Sequence, residues 1–106
     1  MIEAEQIRYT LNSFREPLET LSGSLALEVK KERIEQLELD MEAPGFWDNV
    51  EESQKVMKEV KGLKSIVEDY KDLKTKFEDV ETLLDMAEED EDEELLDEAS
   101  QTMDEF

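Results

Sequence analysis

Between Asp48 and about Glu89, apolar residues recur at Val56, Val60, Leu63, Val67, Tyr70, Leu73, Phe77, Val80, Leu84 and Ala87. The steps are all three or four residues, the spacing of one face of an α-helix. No proline or run of turn residues interrupts them. The spacing therefore predicts a single helix over about 48–89, roughly 60 Å long at 1.5 Å of rise per residue. A helix of that length needs other segments to cover its apolar stripe. Two consecutive three-residue steps meet at Tyr70 and break a strict heptad, which favours a local helical bundle over an indefinite two-stranded coiled coil.

The same periodicity opens the chain. Ile7, Leu11, Phe14, Leu18, Leu21 and Leu25 again step by three or four, predicting a first helix over about 2–22. Pro17 lies inside this pattern. It lacks the amide that would bond the Ser13 carbonyl and crowds that carbonyl, so a kink near residues 13–17, or a split into two shorter helices, is expected. Gly23 suits a left-handed C-terminal cap and Ser24 suits the start of the next helix. That second helix, over about 25–43, uses Leu27, Ile34, Leu37 and Met41, and its charged pairs such as Glu28/Lys31 make a solvated face.

The segment from Ala43 to Asp48 is the most informative turn. Pro44 disfavours helical geometry at Ala43, and Gly45 lets the chain reverse. Asp48 is expected to cap the long helix with Glu51 as its capping-box partner, while Phe46 and Trp47 plug the end of the bundle. Farther on, nine of the eleven residues 88–98 are acidic, which predicts a turn near Asp90 to Asp92. Leu95, Leu96, Ala99, Met103 and Phe106 begin a last helix over about 93–106, and it reaches Phe106 without a capping signal, as if the parent chain continued. The fold class expected is all-α: an antiparallel helical bundle on one long central helix, with no β-sheet.

Charge sharpens this picture. The net charge is −20, and Phe77 to Phe106 carries 15 acidic residues and no basic one. Met1 to Lys76 holds the other 17 acidic and all 12 basic residues. The last third would repel phosphate backbones and anionic lipid, so a protein partner is the expected counterpart and direct nucleic-acid binding is not. Lys55, Lys58, Lys61 and Lys64 recur every three residues. At 3.6 residues per turn this row winds round the helix, as a solvated flank does.

Candidate chemistry is sparse. There is no Cys and no His, which removes thiol nucleophiles, thiolate or imidazole metal sites, disulfides and histidine catalysis. No Asp or Glu stands on a clearly apolar face, and no phosphate-binding glycine loop or nucleophile elbow is present. A calcium loop counted from Asp90 would need Gly where Leu95 stands. The expectation is therefore no enzyme, no catalytic, cofactor-binding or metal residue, and no cofactor. Without a signal peptide or an apolar run of about 20 residues, a cytoplasmic location is expected. A free-standing acidic helical scaffold or adaptor is one reading that remains.

The run Leu39-Asp40-Met41-Glu42-Ala43-Pro44-Gly45-Phe46-Trp47-Asp48-Asn49, followed by Ser53-Gln54-Lys55-Val56-Met57-Lys58-Glu59 and Leu63-Lys64, closely resembles the N-terminal helical domain of the bacterial peptide chain release factor 2 family. Gly23-Ser24-Leu25, Lys30-Lys31-Glu32-Arg33-Ile34-Glu35, Tyr70 and the acidic Glu88 to Glu94 turn are similar to it as well. Ala26 stands where the family often has an acidic residue. The resemblance implies a domain lying towards the stalk base of the large ribosomal subunit, linked with the GTPase that recycles release factors. It implies UAA- and UGA-directed peptide release for a whole factor, through a Ser-Pro-Phe codon-reading motif and a Gly-Gly-Gln loop. Neither motif occurs in these 106 residues, so no catalytic or codon-reading role transfers to any position here.

Overall fold

The computed structural model describes residues 2–106, the Ile2 side chain excepted. Among the described residues there are five α-helices, one 3-10 turn and no strand: α1 (Ile2–Ser13), α2 (Arg15–Ser24), α3 (Leu27–Met41), the 3-10 turn Phe46–Asp48, α4 (Val50–Asp90) and α5 (Glu93–Glu105). The fold is an all-α helical bundle. The backbone clusters into two compact units. One runs up to Leu21 and resumes over Lys71–Phe106; the other is Ser22–Tyr70. Helix α4 is continuous for 41 residues and contributes to both.

The first unit gathers α1, most of α2, the second part of α4, and α5. Its core is Ala4, Leu11 and Leu18 against Phe77, Val80, Leu84 and Ala87, with Leu96 and Ala99 from α5, all buried. Arg8 pairs with Asp85 and Glu88, and Arg15 with Glu81. As numbers rise along α1 and α2 they fall along α4, so these segments run antiparallel. At the closing end of the unit the Phe106 ring meets Phe14 edge-on at 5.3 Å and Phe77 at 5.9 Å, and the Arg15 guanidinium lies 4.9 Å from the Phe77 ring centre. Such ring contacts add about 0.5–1.5 kcal/mol beyond the area they bury.

The expected first helix is two helices, broken at Phe14. The Phe14 amide donates to the Leu11 carbonyl in a tightened turn, and the Phe14 carbonyl accepts from Leu18 as α2 begins. Pro17 thus falls in the first turn of α2, where an amide has no intrahelical acceptor and none is missed. The break is the cheaper of the two responses to a proline in a helical pattern.

The turn after α2 is also placed differently from expectation. Helix α2 continues through Gly23 to Ser24, and the left-handed residue is Ala26, at φ 49°. Gly23 keeps a negative φ, and its carbonyl accepts from the Ala26 amide at 3.1 Å. Ala26 also occupies the N-cap position of α3, without a side-chain cap, so Ser24 does not start that helix. The helical turn continues one step past the glycine because Leu25 and Leu27 are both drawn from solvent there, Leu25 half-buried and Leu27 buried. Burial of Leu27 outweighs the cost of about 1–2 kcal/mol for a left-handed alanine.

The second unit is a helical hairpin of α3 and the first part of α4. Leu27, Ile34 and Leu37 are buried on α3, and Ser53 and Val60 on α4, while Val56, Leu63, Val67 and Tyr70 are half-buried. The expected stripe is therefore the covered one, less completely here than over Phe77 to Ala87. Arg33 binds Glu59 at 3.0 Å and Lys64 binds Glu38 at 3.2 Å, flanking the seam on both sides.

At the start of α4 the capping differs from the expected Asp48–Glu51 pair. Phe46–Asp48 winds into the 3-10 turn, which takes Asp48 into helical geometry and leaves Asn49 extended at φ −98°, ψ 98°. The Asn49 side chain accepts from the Glu52 amide at 3.1 Å and so caps α4. At its far end α4 closes through Glu91 at φ 50°, with the Asp92 amide reaching the Ala87 carbonyl. This six-to-one bond is the Schellman arrangement. Asp92 then caps α5, accepting from Glu94 and Leu95.

Candidate functional site

No catalytic, cofactor or metal residue is expected from the sequence, so the candidate site lies where the fold leaves groups able to meet another molecule. Ser53 is the one buried polar side chain among the described residues, and its hydroxyl donates to the Val50 carbonyl at 2.9 Å. No carboxyl group is buried among them. Among the described residues no three acidic, histidine or cysteine side chains are arranged to hold a metal ion, and no helix is long and apolar enough to cross a membrane. Arg8 is held above its ordinary pKa: partial burial lowers it, but hydrogen bonds and charge attraction from Glu88 and Asp85 outweigh that. Arg33 is raised by its hydrogen bond to Glu59. Both keep their charge throughout the physiological range, so neither is an acid–base group.

The residues expected to matter most are differently disposed. Trp47 does not plug a bundle end: it is 54% exposed, packed at a right angle on half-buried Phe46 with ring centres 4.9 Å apart. The 3-10 turn turns the indole outward. Gly45, at φ 81°, is the residue that turns the chain, and a Cβ there would meet the Asp48 carboxylate at 3.3 Å.

Beside this turn the second unit carries an open groove of about 550 Å³. Its apolar lining is Met41, Met57 and Val60, its basic rim Lys61 and Lys64, and its far end Glu68 and Asp69. Val50, Met57, Lys61, Lys64 and Glu68 are separated by three, four or seven residues and so share one flank of α4 beside the buried seam. Val50 and Met57 are exposed on this flank, and Lys64 is tied to Glu38 across the seam. Met57 does not stand out in the sequence because the core stripe already fills each turn with another apolar residue. The signal was there as a second apolar step of seven, Val50 to Met57, leading into the lysines. A smaller cavity of about 210 Å³ in the first unit, among Phe14, Pro17, Leu18, Leu21, Leu73 and Phe106, is a packing gap at the end of a core.

Residues 30–106 match the family model described as the PCRF domain. The chain is similar to peptide chain release factor 2 of an Exiguobacterium species, 39% identical over 102 residues, and of Staphylococcus saprophyticus, 35% identical over 105. It is 36% identical over 99 residues to peptide chain release factor 2 of Proteus mirabilis. These alignments take in 96%, 99% and 93% of this chain and 28%, 28% and 27% of the respective relatives. The chain thus spans a little over a quarter of the length of the relatives it matches. With the family model covering most of the chain and the Pro44 to Asn49 turn inside the matched region, the chain belongs to the PCRF domain family.

Proposed function

We propose that this chain serves as the N-terminal helical domain of a bacterial translation termination factor of the release factor 2 type, working in the cytoplasm. The observation that carries the reading is the similarity to release factor 2 relatives over 93–99% of the chain, reinforced by the PCRF domain match. In this reading the whole factor directs UAA- and UGA-dependent peptide release on the ribosome. Codon reading and hydrolysis belong to segments with the Ser-Pro-Phe and Gly-Gly-Gln motifs, neither of which occurs here.

The role of these residues is then to position other machinery. They act as an arm that docks by protein contacts towards the large-subunit stalk base and with the recycling GTPase. Several properties support an arm over a catalyst: a 41-residue helix, a surface rich in carboxylates, and the lack of any buried titratable group among the described residues. A net charge of −20 supports protein partners over direct contact with nucleic acid.

The test is a chimera. The matching segment of the Proteus mirabilis factor is replaced by this chain, and in a second variant it is deleted. Stop-codon-dependent release and its stimulation by the recycling GTPase are then measured in a reconstituted system. The chimera is expected to keep both, and the deletion to lose the stimulation. A chimera inactive in release while folded, or a deletion indistinguishable from the parent factor, would overturn the proposal.

A further inference from the structure

We infer that the groove of the second unit is a receptor for an amphipathic helix of a partner protein, one that carries acidic residues beside its apolar anchors. The inference rests on the docking reading above for the expectation of a protein partner, and adds the surface and its chemistry. The lining spans Met57 to Asp69 along α4, about three helical turns, which suits a short helix laid along it. Met41 and Met57 form the apolar part together with Val60, and unbranched methionines adapt to whichever side chains enter.

Charge selects the occupant. In a chain of net charge −20, residues 55–64 hold four lysines and a single carboxylate, Glu59, which is engaged by Arg33 on the opposite side of the seam. Lys55 reaches Glu52 and Lys64 reaches Glu38, whereas Lys58 and Lys61 form no ion pair among the described residues. Lys61 on the rim therefore has an uncommitted ammonium group, with that of Lys58 three residues before it on α4, and acidic side chains on the docked helix complement them. Glu68 and Asp69 close the other end, which favours the positive N-terminal end of the docked helix there and its acidic residues towards Lys58 and Lys61. An RNA strand fits less well. The lining has no aromatic ring on which a base could stack, and those two carboxylates would face its phosphates.

The experiment uses the intact chain and fluorescein-labelled peptides of 16 to 18 residues, read by anisotropy at two salt concentrations. One peptide is an amphipathic helix with leucine anchors and glutamates flanking them in its C-terminal half. A second has lysines in place of those glutamates, and a third has serines in place of the leucines. The first is expected to bind, the other two at least about tenfold more weakly. The double variant K58E/K61E should weaken the first peptide about tenfold and strengthen the second. Lys58 and Lys61 are exposed and unpaired, so the fold is retained, as circular dichroism verifies. Equal binding of acidic and basic peptides, no binding of the first, or no effect of K58E/K61E would overturn the inference. So would tighter binding of a labelled RNA hairpin that K58E/K61E abolishes. Each of these results leaves the chimera assay free to succeed or fail by itself.

Discussion

The guanidinium of Arg8 lies 2.9 Å from Asp85 and 3.2 Å from Glu88, clamping α1 to two carboxylates one turn apart on α4. Asp85 is 71% exposed, so most of its field is screened by water. Arg8 itself is less exposed, and its stem packs beside the core. The substitution Arg8→Gln is expected to destabilise by about 0.5–1 kcal/mol in urea titrations at low salt, and by less at high salt. Because the folded pKa of Arg8 is raised, its contribution is fully present below the ordinary arginine range and is lost only as pH rises through the higher folded value. Between pH 6 and 9 the effect of Arg8→Gln should therefore stay constant.

The junction between α2 and α3 makes an opposed pair of forecasts. Gly23 is helical, and a Cβ added there would have nothing within 4 Å, so Gly23→Ala should stabilise by about 0.5–1 kcal/mol through reduced freedom of the unfolded chain. Ala26 is left-handed, and Ala26→Gly should relieve roughly 1 kcal/mol of strain. Thermal melts showing Gly23→Ala to be destabilising would return the left-handed cap to Gly23.

The depth of the first unit's core can be measured at Leu84, which is fully buried. Leu84→Ala should cost about 2–5 kcal/mol, the transfer loss plus the cavity left behind. Val29 is 64% exposed, and Val29→Ala should change stability by about 0.5 kcal/mol or less. Comparable losses at the two sites would mean that Leu84 is not in a packed core.

The start of α4 separates two carboxamide and carboxylate neighbours. Asn49 holds the Glu52 amide, so Asn49→Ala should cost about 1 kcal/mol. Asp48 sits within the preceding 3-10 turn, one position too early to cap α4, so Asp48→Ala should cost clearly less in the same titration. An equal or larger loss at Asp48 would restore the cap expected from the sequence.

These cases mark where reading the chain works. The spacing from Val56 to Ala87 reads as one helix because each apolar residue recurs on the same side, and the structure covers that side. The acidic turn at Asp90 to Asp92 is legible because repulsion and N-capping act between neighbours in sequence; it is found with Glu91 left-handed and Asp92 as the cap. Gly23 and Asp48 misled for a common reason. Either residue can take the special conformation, but so can its neighbours within three positions, and the choice falls to side chains packing from elsewhere. Met57 and the groove were hidden because a surface shared by two helices has no signature in either one.

Periodicity, proline and charge by themselves determined that this protein is helical, that one helix is long, and that its end is acidic, because all of these depend on interactions between residues a few positions apart. Tertiary structure alone decided which residue turns left-handed after α2, that Asn49 rather than Asp48 opens α4, that Trp47 faces outward, and that Met41 and Met57 border a groove edged with lysine. Those outcomes follow from burial shared between distant segments, where a kilocalorie or two of packing outweighs local preference.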